Sequence, residues 1–138
     1  MNTFYPEIKK NFGFGMMRLP MNGSEVDIPQ TCDMVDAFLM ELGFRHDREN
    51  NRYEVVAPKY ERVALFAHQG FGMSFFSSML DIPYPMFCTH FDFSHSSMSV
   101  INFEPRGKYV YPHVLQTAND SHLYREGILT GYHNIIKF

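Results

Sequence analysis

The stretch from Ala64 to Pro85, ALFAHQGFGMSFFSSMLDIPYP, sets one imidazole, His68, where an apolar run gives way to a segment of glycine, serine and large apolar residues. If the run before it is a buried strand and the segment after it a helix, His68 stands at the carboxyl edge of a sheet. Ligands of open α/β sheets bind at that edge. The helix would turn its unbonded N–H groups toward the same place, which suits an anion. Gly70 and Gly72 would let backbone approach a ligand closely, and a protonated imidazole would favour a phosphoryl oxygen. The competing explanation is structural. His68 would bond to a neighbour at the strand end, and the glycines would only allow tight helix packing. Both remain open on the residues alone.

Other chemistry-bearing residues form weaker patterns. His90, His95, His113 and His122 are numerous, but their spacing fits neither a helical i, i+4 pair nor a zinc module. Ordinary polar and edge roles are expected of them, and no metal site. Cys32 and Cys88 form no C-x-x-C and read as free thiols. Ser77-Ser78 lacks a nucleophile-elbow pattern. Gly13-x-Gly15 lacks the third glycine and the downstream acid of a dinucleotide fingerprint, so no cofactor is expected.

Composition bounds the class. A chain of 138 residues, 45% hydrophobic and 20% charged, can build one packed core. A net charge of −3 without a Lys/Arg cluster argues against a nucleic-acid partner. The 14 Phe and 8 Tyr, with no Trp, read as core and edge packing rather than a base-stacking platform. No run approaches the roughly 20 apolar residues that span a bilayer, and no signal-peptide core opens the chain. A cytoplasmic location and no membrane partner are expected by elimination.

Several elements must position these residues. KNFGFGMMRLP (Lys10–Pro20) reads as a Gly-punctuated strand, and Asn22-Gly23 as a turn. Asp27 and Gln30 make a capping-box-like start, with Pro29 in the first turn. Val35, Phe38, Leu39 and Leu42 then give one apolar helical stripe, which Gly43 stops. His46–Asn51 reads as a polar loop, Arg52–Val56 as a short strand and Pro58–Arg62 as a polar connection. Val63–Ala67 reads as a strand buried on both faces. Phe71–Leu80 reads as a buried helix ended by Pro83 and Pro85, followed by an irregular Met86–Ser96. Met98–Glu104 and Tyr109–Gln116 form a hairpin about Pro105-Arg106-Gly107. The tail from Asn119 shows no clear period.

ERVALFAHQGFGMSFFSSMLDIPYP resembles the stretch around the second active-site histidine of the histidine phosphatase (phosphoglycerate-mutase-like) superfamily. FLMELGFRHDRENNRYEVV before it, and THFDFSHSSMSVINFE and VYPHVLQTANDSHL after it, extend the resemblance over about 35–138. It implies that His68 contacts the transferring phosphoryl group and that the Gln69 backbone N–H donates to it. It also implies that His122, in Asn119–Leu123, has a structural role in the tail. The implied ancestral reaction is phosphomonoester hydrolysis through a phosphohistidine. The family's nucleophile lies in an Arg-His-Gly motif, which this sequence lacks; Arg45-His46 is followed by Asp47 in a polar loop. No counterpart of the family's general acid or second arginine precedes Val35.

KNFGFGMMRLPMNGSEVDIPQTCDMVDAFL resembles instead the opening of an aldo/keto reductase, an NADPH-using barrel, over about 1–39. The catalytic Asp, Tyr, Lys and His of that family do not follow. The two resemblances meet near Met34–Leu39, which implies a chimaeric or truncated chain: an amino-terminal segment 1–34 that is not an independent domain, and a half-domain 35–138. The expected fold is α/β, a partial phosphoglycerate mutase-like mixed sheet with flanking helices and a C-terminal β-hairpin. Phe12–Met17 is expected beside Val63–Ala67, where the family's missing central strand would lie. The chain is expected to bind phosphate or a phosphomonoester with little turnover by itself. The alternatives are a non-catalytic phosphate-binding or interaction module, with homo-oligomers through exposed sheet edges, and a reductase remnant.

Overall fold

The computed structural model describes residues 3–4, 14–18, 28–58 and 62–132. The chain has a mixed α/β fold. In order it runs β1 (Thr3–Phe4), β2 (Phe14–Arg18), α1 (Ile28–Glu41), β3 (Phe44–Asp47), a 3₁₀ turn (Arg48–Asn50), β4 (Arg52–Val55), β5 (Arg62–Leu65) and α2 (Gln69–Met79). It continues through α3 (Tyr84–His90), β6 (Met98–Asn102), β7 (Tyr109–Val110), β8 (His113–Asn119) and α4 (Ser121–Arg125). The capping-box Asp27 and the Asn22-Gly23 turn lie outside the described residues.

Among the described residues the strands form three small sheets, ordered β1–β2–β5, β3–β4–β7 and β6–β8. The first is mixed, with β2 antiparallel to β1 and parallel to β5, and the described strands of the other two are antiparallel. Gly15 faces Val63 and Met16 faces Ala64, so the upstream apolar segment does pair with the strand that leads to His68. Phe12 and Gly13 lie outside the described residues.

The helices form from the residues the periodicity selects. Val35, Phe38 and Leu39 of α1 are buried, and Leu42 packs against the same cluster. Their spacing places them on one stripe, and that stripe meets α2, where the Phe38 and Phe75 rings sit edge to face at 5.9 Å. Gly43 ends α1 with φ +98°, and a Cβ there would lie 2.0 Å from the Ala57 carbonyl oxygen. Glycine alone meets both conditions. Its own carbonyl accepts from Val56 (2.8 Å) and Ala57 (3.2 Å), tying the end of α1 to the end of β4.

From Phe71 to Met79, every residue of α2 except Gly72 is buried. A helix covered on all sides must satisfy its polar side chains internally. Ser74 Oγ donates to Phe71 O (2.9 Å), and Ser77 Oγ to Ile82 O (2.7 Å). Ser78 Oγ accepts from Arg48 (3.0 Å). The aromatic residues supply the driving force, roughly 1.5–3 kcal/mol for each fully buried Phe or Met. Phe76 meets Phe93 edge-on at 5.1 Å, and the Phe87 ring stacks on Phe91 at 4.7 Å.

Five local expectations change. Pro83 and Pro85 do not simply close α2. Pro83 caps α3 and Pro85 sits in its first turn, where a missing N–H costs nothing. The run expected to be irregular thus contains a helix. His46 and Asp47 belong to β3 rather than to a loop. The strand before His68 ends at Leu65 and is only half covered; Phe66 beyond it is 66% exposed. The second hairpin arm divides: β7 leaves to pair with β4, and β8 returns to β6. The β6–β8 register shifts twice, between Met98 and Val100 and between Val100 and Ile101; opposite the first shift Ala118 takes φ +48° and gives its N–H to Ser99 Oγ (3.0 Å). The tail also holds one short helix, α4.

Candidate functional site

β5 hands the chain to α2 through Phe66, Ala67 and His68. His68 is the N-cap of α2, with φ −74° and ψ 159°, and it is exposed. Its carbonyl accepts the first helical bond, from Gly72 N at 2.9 Å. Its side chain makes no capping hydrogen bond, and the first turn carries no acidic residue. Among the described residues, the N–H groups of Gln69, Gly70 and Phe71 have no protein partner. The positive end of the helix dipole is therefore uncompensated from within the helix.

The residues around this turn refine the sequence reading. The Gln69 carboxamide donates to Asp92 Oδ1, which also accepts from Phe93 N (2.8 Å). The Gln69 side chain is thus engaged, and its backbone N–H is the group without a protein partner among the described residues. Asp92 also sets a carboxylate next to Gln69, which opposes an incoming anion. Gly72 serves packing: a Cβ there would meet the Phe93 ring at 3.3 Å.

A second polar constellation lies at the other end of α2. His46 Nδ1 is 2.7 Å from Asp36 Oδ1, and Nε2 is 2.9 Å from Asp81 Oδ2. Arg48 donates to Asp36 (Nη2, 2.8 Å; Nε, 3.1 Å) and to Asp81 Oδ1 (2.9 Å). It also reaches the Ser78 carbonyl (3.3 Å) and hydroxyl. The Tyr53 ring stacks on His46 at 4.2 Å, and its hydroxyl donates to Met79 O at 2.8 Å. The His46 side chain is 2% exposed.

Electrostatics in this cluster follow from its contacts. Burial works against the Arg48 charge, but the Asp36 and Asp81 carboxylates outweigh it and raise the guanidinium above its usual value. Burial, aided by the Asp81 and Asp36 charges, raises the Tyr53 phenol far above its ordinary range, so it stays a donor. An imidazole with both nitrogens engaged and no exposed face is not placed to attack phosphorus. Arg45-His46 therefore does not stand in for the missing nucleophile motif. The sequence offered a weak sign of this cluster, a His-x-Arg at the start of a polar segment. The acids that complete it lie 10 and 35 residues away from His46.

The remaining candidates stay apart. His90 ends α3, His113 lies on β8 and His122 on α4, all exposed. His95 Nδ1 sits beside Gly131, whose carbonyl accepts from the His95 N–H. No group of three or more His, Cys, Asp or Glu among the described residues is arranged to hold a metal ion. Cys32 and Cys88 are free thiols. Among the described residues no helix is long and apolar enough to cross a membrane. No protein-family model, curated protein or solved structure matches the chain.

Proposed function

We propose that the chain is a phosphate-binding protein on the histidine phosphatase plan. Its ligand class is a phosphate or phosphomonoester, held by His68 and the Gln69 N–H. One observation carries this reading: an exposed histidine at the N-cap of a buried helix, beside three first-turn N–H groups without protein partners among the described residues. Those N–H groups and an imidazolium would share the phosphoryl charge. The Gln69–Asp92 bond supports a backbone rather than a side-chain contact at Gln69. Turnover is a separate demand. In-line transfer needs a nucleophile, further cations and an acid held together. The sequence has no Arg-His-Gly, and the His46 ring is enclosed by carboxylates. Binding without self-sufficient catalysis is the expected behaviour.

Titration with inorganic phosphate, followed by NMR at the His68 ring and the Gln69 amide, tests this directly. Both signals should move together along one binding curve in wild type, and the Gln69 response should weaken at least tenfold in His68→Ala. Signals that stay fixed at tens of millimolar phosphate would remove the site. An assay with phenyl phosphate separates binder from enzyme. Hydrolysis above background that His68→Ala abolishes would establish catalysis instead.

A further inference from the structure

We propose that the His46 cluster is a proton-operated latch between α1 and the far end of α2, closed while the imidazole carries both ring protons. This inference is independent of the phosphate reading. Ionised carboxylates only accept hydrogen bonds, so for both the Asp36 and the Asp81 contact of His46 to be hydrogen bonds the ring must donate from both nitrogens. The groups facing that ring come from every element packed around it. Asp36 belongs to α1, Arg48 to the 3₁₀ turn, Tyr53 to β4, and Asp81 follows α2. Cys32, also on α1, interacts electrostatically with Arg48.

Closed, the cluster balances two carboxylates against a guanidinium and an imidazolium. Loss of one ring proton turns a nitrogen lone pair toward a carboxylate oxygen, acceptor against acceptor. It also leaves the cluster with one uncompensated negative charge in a site where the Asp81 side chain is 13% exposed. Asp81 holds φ +54°, a conformation its two ion pairs help to fix. With the ring neutral, α1 and α2 keep their apolar contacts and Arg48 but lose the second bridge. The latch therefore stabilises the fold while both ring nitrogens donate and releases when one proton is lost.

Urea unfolding of the full chain, wild type against His46→Gln, tests the latch at about pH 5.5 and about pH 7.5. The folded-to-unfolded ratio of wild type should fall about tenfold more than that of the variant over this interval, the scale of one charge-assisted hydrogen bond. The other histidines and Cys32 are common to both arms and cancel. Equal slopes, or a slope of opposite sign, overturn the proposal. If His46→Gln does not fold, Asp36→Asn replaces it: loss of one carboxylate must shrink the pH dependence, and an unchanged slope is fatal. Nitrogen NMR of wild type gives a check without mutation. Both His46 nitrogens should be protonated at the acid end; a ring with a single proton there rejects the latch.

Discussion

The two ends of α2 each hold a histidine, and they are built in opposite ways. At the amino end His68 is exposed, and three first-turn N–H groups beside it lack protein partners among the described residues. At the carboxyl end His46 is enclosed, with both nitrogens, two carboxylates, a guanidinium and a stacked tyrosine accounted for. A polar group whose partners all come from the protein contributes to the fold and has nothing left for a ligand. A helix terminus whose donors lack protein partners must use water or a bound anion. The contrast separates a structural histidine from an available one without appeal to residue type.

The enclosed end should break hardest. Asp81→Ala removes one acceptor from both His46 and Arg48 and leaves both groups short of a partner in a mostly buried site. It also sets a Cβ-bearing residue without a polar side chain at φ +54°. Removing one member of a buried ionic network costs about 3–5 kcal/mol. Urea denaturation should show that loss; a change under about 1 kcal/mol would mean that solvent replaces the network at little cost. The proposed phosphate response at His68 should not change in the remaining folded protein, because the amino end of α2 is untouched.

A smaller effect is expected one layer deeper. Tyr53→Phe keeps the ring that stacks on His46 and packs against Phe103 at 5.6 Å. It leaves the Met79 carbonyl without the tyrosine donor at the buried end of α2. An unsatisfied buried acceptor costs about 1–3 kcal/mol. A stability unchanged from wild type would show that Met79 O finds another donor.

The same contrast explains what the sequence could disclose. The α1 stripe was legible, because burial on one face imposes the period of Val35, Phe38, Leu39 and Leu42. Gly43 was legible as a stop because its φ excludes most other residues. The turn from β5 into α2 was legible at His68 because an apolar run followed by glycines is a local pattern. The α3 helix was not: Pro83 and Pro85 signal both a stop and a start, and the choice falls to Phe87, buried to 1% in the aromatic core. The His46 cluster was hidden for a different reason. Its members come from α1, β3, the 3₁₀ turn and the end of α2, and only the fold assembles them. Sheet partners were equally obscure, since nothing local tells Val110 to pair with Tyr53 rather than extend β8.

The open end should yield the smallest change in stability and the largest change in binding. His68→Ala removes an exposed side chain that makes no capping bond, while the backbone that starts α2 stays. Surface changes of this kind stay within about 0.5 kcal/mol. Urea midpoints of wild type and variant should coincide in phosphate-free buffer. They should separate as inorganic phosphate is added, because a ligand that binds only the folded state stabilises it by mass action. Midpoints that differ widely without phosphate would place His68 in the fold, like His46. Midpoints that stay together in its presence would leave the donors of the first turn to water.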